Sequence, residues 1–441
     1  MPRIQNLRIG HATNSSSSHS IVMMRPGHPA PPSNYSGGDF GWDNFILSDV
    51  RSKMHYVAVD TRGRYATRED FDAEFAPYLD QATLDSVWNE HDYIDHESAG
   101  TSSSVDRDLL MRPEVVILGG NDNEDRFTIP NADPAPSGPM RQRQDGAASV
   151  LYWPSSGFKI RLSDEPYTKA RAPELVDVKI TDYCPYGCFF CYQGSTKQGA
   201  HASLESVVAT AERLRELGVF EVAIGGGEPM MHPQFPEIVD AFHQRGITPN
   251  VTAYGVEWST RDWVKTTISK LGGIGVSVHN AADFEKLTRI RDNLSSRRVY
   301  SGRLMPQHAV GTNDITEVVH AARTGRYTDN LLLLGFKNVA RGSSGPKMKV
   351  TDDELYNAIA GPFEGKGWYP LTLSVDTAFI DQFPNVIDRL NVPGYLTSSP
   401  EGKFSMYIDL VRGIMGPSSY CAEEDYLPLD LAHITEAFAR W

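Results

Sequence analysis

The sequence predicts an α/β fold. A partial (β/α)6 barrel, a parallel sheet of six strands with helices outside it, follows a separate N-terminal α+β domain and precedes a short C-terminal extension. Three observations carry this. From about residue 171, strand-like and helix-like patterns alternate strictly with short connections, which requires parallel strands and crossover helices. Before that point the rhythm is absent, so residues 1–170 read as a domain of their own, followed by 171–380 and 381–441. The 441 residues, 40% apolar and 22% charged, have a globular composition and suit two or three domains of roughly 100–200 residues each.

The alternating stretch is read element by element. ELVDVKIT (174–181) has a strand pattern, and SLESVVATAERLREL (203–217) carries apolar residues at helical spacing. FEVAIGG is the second strand. FPEIVDAFHQRG is a helix that stops at Gly246, a residue suited to the left-handed C-cap position. ITPNVTAYG, IGVSVHN, RVYSGRLMPQHAV and DNLLLLGF are the next strands. STRDWVKTTISKLGG, DFEKLTRIRDNL and ITEVVHAARTG are the helices between them. LTLSVD (371–376) offers a further strand. Six units are fewer than the eight of a closed barrel. In such folds the chemistry sits on the loops after the strands.

The N-terminal part is less regular. Thr13 to His19 is a small-polar run and reads as a flexible arm. Residues 26–41 and 131–148, rich in Pro and Gly, read as loops. WDNFILSDV and MHYVAVD are helix-like or strand-like, and the stretch through Thr101 to Ser104 is polar. VVILGG (115–120) reads as a buried strand ending in a Gly119–Asp122 turn.

Charge and cysteine usage narrow the function. Forty-two Lys and Arg against 56 Asp and Glu give a formal charge of −14, a poor basis for general binding of nucleic acid or anionic membrane. The N-terminus has no apolar signal core, and no stretch approaches the ~18–20 apolar residues of a membrane span. A soluble, cytoplasmic protein is expected. Of four cysteines, Cys184, Cys188 and Cys191 fall within eight residues and Cys421 stands apart. That clustering suits a metal or redox site in a reducing compartment better than a disulfide framework.

The segment ITDYCPYGCFFC (180–191) follows the first strand directly, with spacing C-x3-C-x2-C. Three thiolates on one loop suit an iron–sulfur cluster with one iron left open. Zinc completed by His201 is the alternative, although structural zinc usually takes four ligands as two C-x2-C pairs. With Phe190 as the aromatic of C-x3-C-x-aromatic-C, and with Gly225-Gly226-Gly227-Glu228-Pro229 closing the second strand, the sequence resembles the radical S-adenosylmethionine (radical SAM) enzymes. The resemblance covers roughly 175–340.

The resemblance implies one [4Fe–4S] cluster on Cys184, Cys188 and Cys191. It also implies S-adenosyl-L-methionine chelating the fourth iron, with its amine held by Gly225, Gly226, Gly227 and Glu228. One-electron reduction would then give methionine and a 5′-deoxyadenosyl radical that abstracts hydrogen from an unactivated C–H bond. Phe190 and the backbone at Tyr192 are expected near the adenine. Ser277, His279 and Asn280 at the fourth strand end, Gln307 and His308 at the fifth, and Asn338 and Arg341 after the sixth are candidate polar contacts. An electron donor such as flavodoxin or ferredoxin is implied as a partner.

The C-terminal segment from Glu401 to Ser419 is similar to the SPASM-type extension of peptide-modifying members, but it lacks that extension's cluster cysteines. Cys421 alone cannot hold a cluster and reads as a buried free thiol. The substrate expected is a peptide or protein. A nucleobase or nucleotide, including one in DNA, and a non-catalytic iron–sulfur binding protein are the alternatives.

Overall fold

The computed structural model describes residues 3–8, 18–21, 39–40, 45–94, 117–119, 139–163, 165–299, 304–324, 327–328, 330–345, 347–360, 372–390, 392, 397 and 401–441. The chain forms two compact units: residues 1–22 with 138–441, and residues 23–137. Neither division falls at the expected boundary near 170. Residues 138–170 belong with the barrel.

The main sheet contains the six expected strands: β1 (Leu175–Thr181), β2 (Glu221–Gly226), β3 (Thr248–Ala253), β4 (Ile274–Ser277), β5 (Leu304–Ala309) and β6 (Asn330–Leu334). LTLSVD supplies a seventh, β7 (Thr372–Asp376), parallel to β6. The C-terminal segment supplies an eighth, β8 (Ser405–Asp409), which pairs parallel to β1 on its free side. Alternation alone could not reveal β8, because some 220 residues separate it from its partner. The sheet is open among the described residues. Ser18–Ile21 runs antiparallel along β7, and Ile414–Gly416 antiparallel along β8. The expected flexible arm therefore ends in a strand, because an edge strand presents unpaired backbone groups that an added strand satisfies. Residues 13–17 lie outside the described residues.

Helices pack outside. α1 (Leu204–Glu216) starts at Ser203, whose side chain accepts from the Ser206 N–H, and buries Val207, Ala211 and Leu214. α2 (Phe235–His243) buries Phe235, Ile238, Val239 and Phe242 at helical spacing, and Gly246 beyond it has φ +71°. α3 (Glu285–Ser296) and α4 (Ile315–Thr324) match expectation. The helix expected over 259–273 does not form as one. Its place is taken by short turns at Glu257–Thr260, Val264–Thr267 and Ile268–Lys270. The β-branched run Val264, Thr266, Thr267, Ile268 disfavours continuous helix.

The expected loop at 131–148 is corrected over its described part. Arg141–Asp145 and Ala148–Trp153 form a hairpin, turning at Gly146 (φ +67°), and Phe158–Ser163 and Arg3–Arg8 complete a four-stranded antiparallel sheet. Burial of the small hairpin against the barrel offsets its weak strand propensity. This sheet sits at the N-terminal ends of β1 and β2. Arg143 donates to the carbonyls of Pro173 and Ala172, and Arg141 to that of Phe220. Lys159 and Arg161 meet Glu174 there at 3.0 and 2.9 Å, all fully buried.

The second unit packs Val50–Thr61, Arg68–Phe75 and Gln81–Trp88 around Tyr56, Phe71, Phe75, Leu84 and Val87. MHYVAVD lies within the first of these helices. The strand expected at 115–120 is seen as Ile117–Gly119, paired with Phe45–Leu47. The turn through Asn121–Asp122 and the polar stretch 101–104 lie outside the described residues. Among the described residues, no helix is long and apolar enough to cross a membrane.

Candidate functional site

The cysteines lie on the loop between β1 and α1. Its neck is closed by backbone bonds: the Asp182 N–H donates to Ala200 O at 2.8 Å, and the Thr196 N–H to Asp182 O at 3.0 Å. Gly199 is essential there, since a Cβ would lie 2.0 Å from the Asp182 carbonyl. Within the loop the Cys184 N–H donates to Thr196 O, Cys191 N–H to Cys188 O, and Gly194 N–H to Cys191 O. These tight turns gather the cysteines into one compact loop. Gly187 and Gly194, at φ +65° and +66°, permit the bends.

All three thiols are free and half-buried. Burial, followed by the neighbouring Cys191 and Cys184, pushes the Cys188 thiol up to about 11. Burial also raises Cys184. Among the described residues, no three His, Cys, Asp or Glu side chains converge on a position for a single ion. His201, the residue weighed for zinc, places its Nδ1 2.8 Å from the Thr181 hydroxyl at the loop neck.

The GGEP loop lies directly against this one. The Gly227 N–H donates to Thr181 O at 2.7 Å and the Glu228 N–H to Tyr183 O at 2.8 Å. A Cβ on Gly226 would lie 2.2 Å from Thr181 O, and one on Gly227 2.1 Å from Tyr183 O and 3.1 Å from the Cys184 Cβ. Gly225 differs, because a Cβ there would meet nothing within 4 Å. Two of the three glycines therefore serve close packing onto the cysteine loop, and one faces open space. Glu228 is buried. Its Oε2 accepts from the N–H groups of Tyr254 and Gly255 at 2.9 and 3.2 Å, so it fixes the chain leaving β3. Burial raises its carboxyl to about 7, and Oε1 has no hydrogen-bond partner. Glu228, expected to help hold the cofactor's amine, is first of all a tie between two strand ends.

An aromatic platform adjoins the loop. His279 stacks on Tyr254 with centroids 4.5 Å apart, and Phe190 meets His279 edge-on at 4.8 Å. Lys286 Nζ lies 3.5 Å from the Tyr254 ring centre and 3.0 Å from Asp283, which also accepts from the His279 N–H. Burial lowers His279 to about 4, so its ring is neutral at pH 7. Ser277 is half-buried at the end of β4, and its carbonyl faces Lys286. Gln307 is buried beside Thr252. His308 is fully buried, with Nδ1 on the Val278 carbonyl, and burial lowers it to about 4. Asn338 is exposed. Arg341 Nε donates to the Cys188 carbonyl at 3.0 Å. The residue before it, Ala340, has φ +49°.

A small pocket opens beside Gly225. Asp177, Thr252, Tyr192, Gln193, Tyr407 and Ser419 contribute to its wall. Tyr192 thus faces a cavity as well as the loop, and its ring lies 4.5 Å from the buried Lys337 ammonium, which also approaches Tyr420 at 4.7 Å. Tyr407 donates to Gln193 and Asp409, and Lys179 pairs with Asp182 at 2.5 Å and Asp409 at 3.3 Å. Lys179, Lys337, Tyr407, Tyr254 and Lys286 were not found from sequence. Strand alternation in DVKIT and SMYID places Asp177 and Lys179 on the same face as Tyr407 and Asp409, which was the available signal. Cys421 is half-buried beside Gly416 and Tyr426, not in the cavity wall.

The donor set fits a [4Fe–4S] cluster: three soft thiols on one loop, beside a glycine strand end that leaves room. Residues 178–301 match the model of the Radical SAM superfamily. The chain is similar to a probable GTP 3′,8-cyclase of Archaeoglobus fulgidus, at 35% identity over 77 residues (17% of this chain, 26% of that protein). It is also similar to the PqqA peptide cyclase of Gluconobacter oxydans, at 32% over 86 residues (19% and 24%). The matched stretch thus spans about a quarter of either relative's length. The crystal structure of Streptococcus suis SuiB aligns with a TM-score of 0.42 at 12% identity, covering 63% of this chain and 81% of that one. With the family match lying on the strands that carry both loops, residues 178–301 form a radical SAM domain, and the cofactors of that superfamily are a [4Fe–4S] cluster and S-adenosylmethionine.

Proposed function

We propose that Cys184, Cys188 and Cys191 hold one [4Fe–4S] cluster, that the Gly225–Glu228 loop seats S-adenosylmethionine, and that the enzyme abstracts hydrogen from a C–H bond of a peptide or protein. The observation that carries the reading is the contact of Gly227 with Tyr183 and Cys184, which locks the glycine loop and the thiol loop into one unit. When bound, the two cofactors supply one-electron cleavage of the sulfonium to methionine and a 5′-deoxyadenosyl radical. The chain's own residues do the rest. Glu228 holds the end of β3 in place. Phe190, His279 and Tyr254 offer a neutral aromatic surface that suits a purine. Ser277 offers a hydroxyl at the next strand end, and Asn338 an exposed amide after β6. The cavity beside Gly225 is lined for a polar reacting group, and Tyr192 and Tyr407 shield it from solvent.

The peptide reading is supported by the similarity to a peptide cyclase. Similarity to a GTP cyclase favours a nucleotide as the second reading. Anaerobic reconstitution tests the core of the proposal. The wild type should take up four irons per chain with broad visible absorbance, Cys184→Ala should lose both, and dithionite with S-adenosylmethionine should yield 5′-deoxyadenosine. A colourless, iron-free wild type refutes it. Mass spectrometry of cell extracts with and without the protein separates the substrates: a mass change in a peptide supports the first reading, and one in a nucleotide the second.

A further inference from the structure

The connection after β6 runs back over the cysteine loop. Its short turn, Arg341–Ser344, is packed onto that loop from both ends. A Cβ on Gly345 would lie 2.8 Å from the Phe189 carbonyl oxygen. One on Gly342 would lie 2.5 Å from the Lys337 carbonyl oxygen and 3.3 Å from that of Phe190. Only glycine lets the two backbones approach so closely. On the other side, a Cβ on Gly194 would stand 3.6 Å from the Ala340 Cβ. Ala340 enters the turn at φ +49° and ψ −129°, a region that favours glycine, so the surrounding packing holds the turn in a strained shape.

This geometry fixes the Arg341 side chain. Its Nε donates to the Cys188 carbonyl at 3.0 Å. Its Nη2 is buried and has no hydrogen-bond partner, and no carboxylate pairs with the guanidinium among the described residues. A guanidinium is charged at any working pH, and a buried donor of a charged group that finds no acceptor is costly. The Nε bond accounts for a brace, but not for a second buried donor left open beside a residue of the thiol triplet. A negatively charged acceptor would satisfy it. The sulfurs of an iron–sulfur cluster are such acceptors, and hydrogen bonds and net charge at those sulfurs set the cluster's potential.

Resting on the cluster reading above, we propose that Arg341 Nη2 donates to a sulfur of the [4Fe–4S] cluster and that its fixed charge makes the cluster easier to reduce. Reduction adds one electron to the cluster and moves no proton or group. A cation held beside the cluster stabilises the more negative, reduced form more than the oxidised one. The Nε bond aims the guanidinium, and the packed turn keeps it in place.

The test uses the reconstituted full chain without S-adenosylmethionine. With arginine labelled by nitrogen-15 at the guanidinium, pulsed EPR of the dithionite-reduced wild type should show a weakly coupled nitrogen-15, absent from Arg341→Lys and Arg341→Gln. In EPR-monitored redox titrations Arg341→Gln should be at least tenfold harder to reduce, a midpoint lower by about 59 mV for one electron. Arg341→Lys keeps the charge and should stay within threefold of the wild type. An iron-loaded wild type without the coupling overturns this proposal alone. So does a wild-type midpoint in Arg341→Gln, or an equal shift in both variants, which would make Arg341 only a brace. Equilibrium dialysis separates a further role: tenfold weaker binding of S-adenosylmethionine to Arg341→Gln at an unchanged midpoint would assign Nη2 to the cofactor's carboxylate and overturn the proposal. Should Arg341→Gln fail to hold iron, the coupling in the wild type and its loss in Arg341→Lys decide alone. A wild type that takes up no iron overturns the cluster reading and this proposal with it.

Discussion

Gly225 and Gly227 stand two residues apart in one motif, and the structure gives them opposite responses to a methyl group. A Cβ at position 227 would lie 2.1 Å from the Tyr183 oxygen and 2.6 Å from its carbon, far inside the 3.4 Å at which contact becomes ordinary. Those atoms are backbone and cannot swing aside, so Gly227→Ala must push the thiol loop away. Overpacking of this kind costs about 1–3 kcal/mol. The displaced loop also strains the bonds from the Gly227 and Glu228 N–H groups, at about 1 kcal/mol each. The expected loss is therefore about 3–5 kcal/mol, concentrated at the cysteines. Gly225→Ala meets nothing within 4 Å and should be neutral, or stabilising by about 0.5 kcal/mol through the unfolded chain. The assay is guanidinium unfolding of both iron-free variants beside the wild type, followed by iron content after reconstitution. Gly227→Ala should unfold at lower denaturant and hold less than half the iron, while Gly225→Ala should match the wild type in both. A Gly227→Ala protein with wild-type stability and full iron refutes the claim that this glycine serves close packing.

Glu174→Gln should cost about 3–5 kcal/mol, because it takes the carboxylate from the buried Arg161 and leaves Lys159 only the more distant Glu221 at 3.6 Å as a paired carboxylate; chemical denaturation measures this, and iron per folded chain should be unchanged. Ala340→Gly should stabilise by about 1 kcal/mol, since φ +49° with ψ −129° suits only glycine; a lower denaturation midpoint contradicts this. His308 is held near 4 by burial, below its unfolded value, so its contribution is present above pH 6.5 and is lost as pH falls toward 4. The loss is on the order of 3 kcal/mol, and His308→Gln should flatten the stability–pH curve of the iron-free chain between pH 6.5 and 4.

Local signals carried most of what the sequence revealed. C-x3-C-x2-C and GGEP each depend on a few neighbouring residues, and both stand at the ends of adjacent strands as the alternation implied. The six-strand order was readable because each strand pairs with the next in sequence. What failed was non-local or finely balanced. β8 and Ser18–Ile21 join the sheet from the far ends of the described chain, and no spacing rule connects them to β1 or β7. The 259–273 segment has helical periodicity, but its β-branched run and short span between β3 and β4 break it into turns. Glu228 looked like a charge for a ligand, and only burial with the Tyr254 and Gly255 N–H groups shows it as a tie. Arg341, expected as a polar contact after the sixth strand, is instead seen to brace the cysteine loop through the Cys188 carbonyl, which no local pattern reveals. The platform of His279, Tyr254 and Lys286 comes from three separate elements, which a single strand pattern cannot show.

The neighbour of β1 on its second edge is made from residues 405–409, so it leaves the ribosome long after the cysteines do. At a synthesis rate of about 5–20 residues per second, the thiol-bearing strand waits on the order of ten seconds or more with that edge bare. During this interval the nascent chain is exposed to aggregation through the open edge and to oxidation at its thiols. A chaperone that shelters the newborn strand, and iron delivery only after the last fifty residues have emerged, would favour a sound product. Truncation before residue 405 should therefore impair maturation even though every cysteine of the triplet is present.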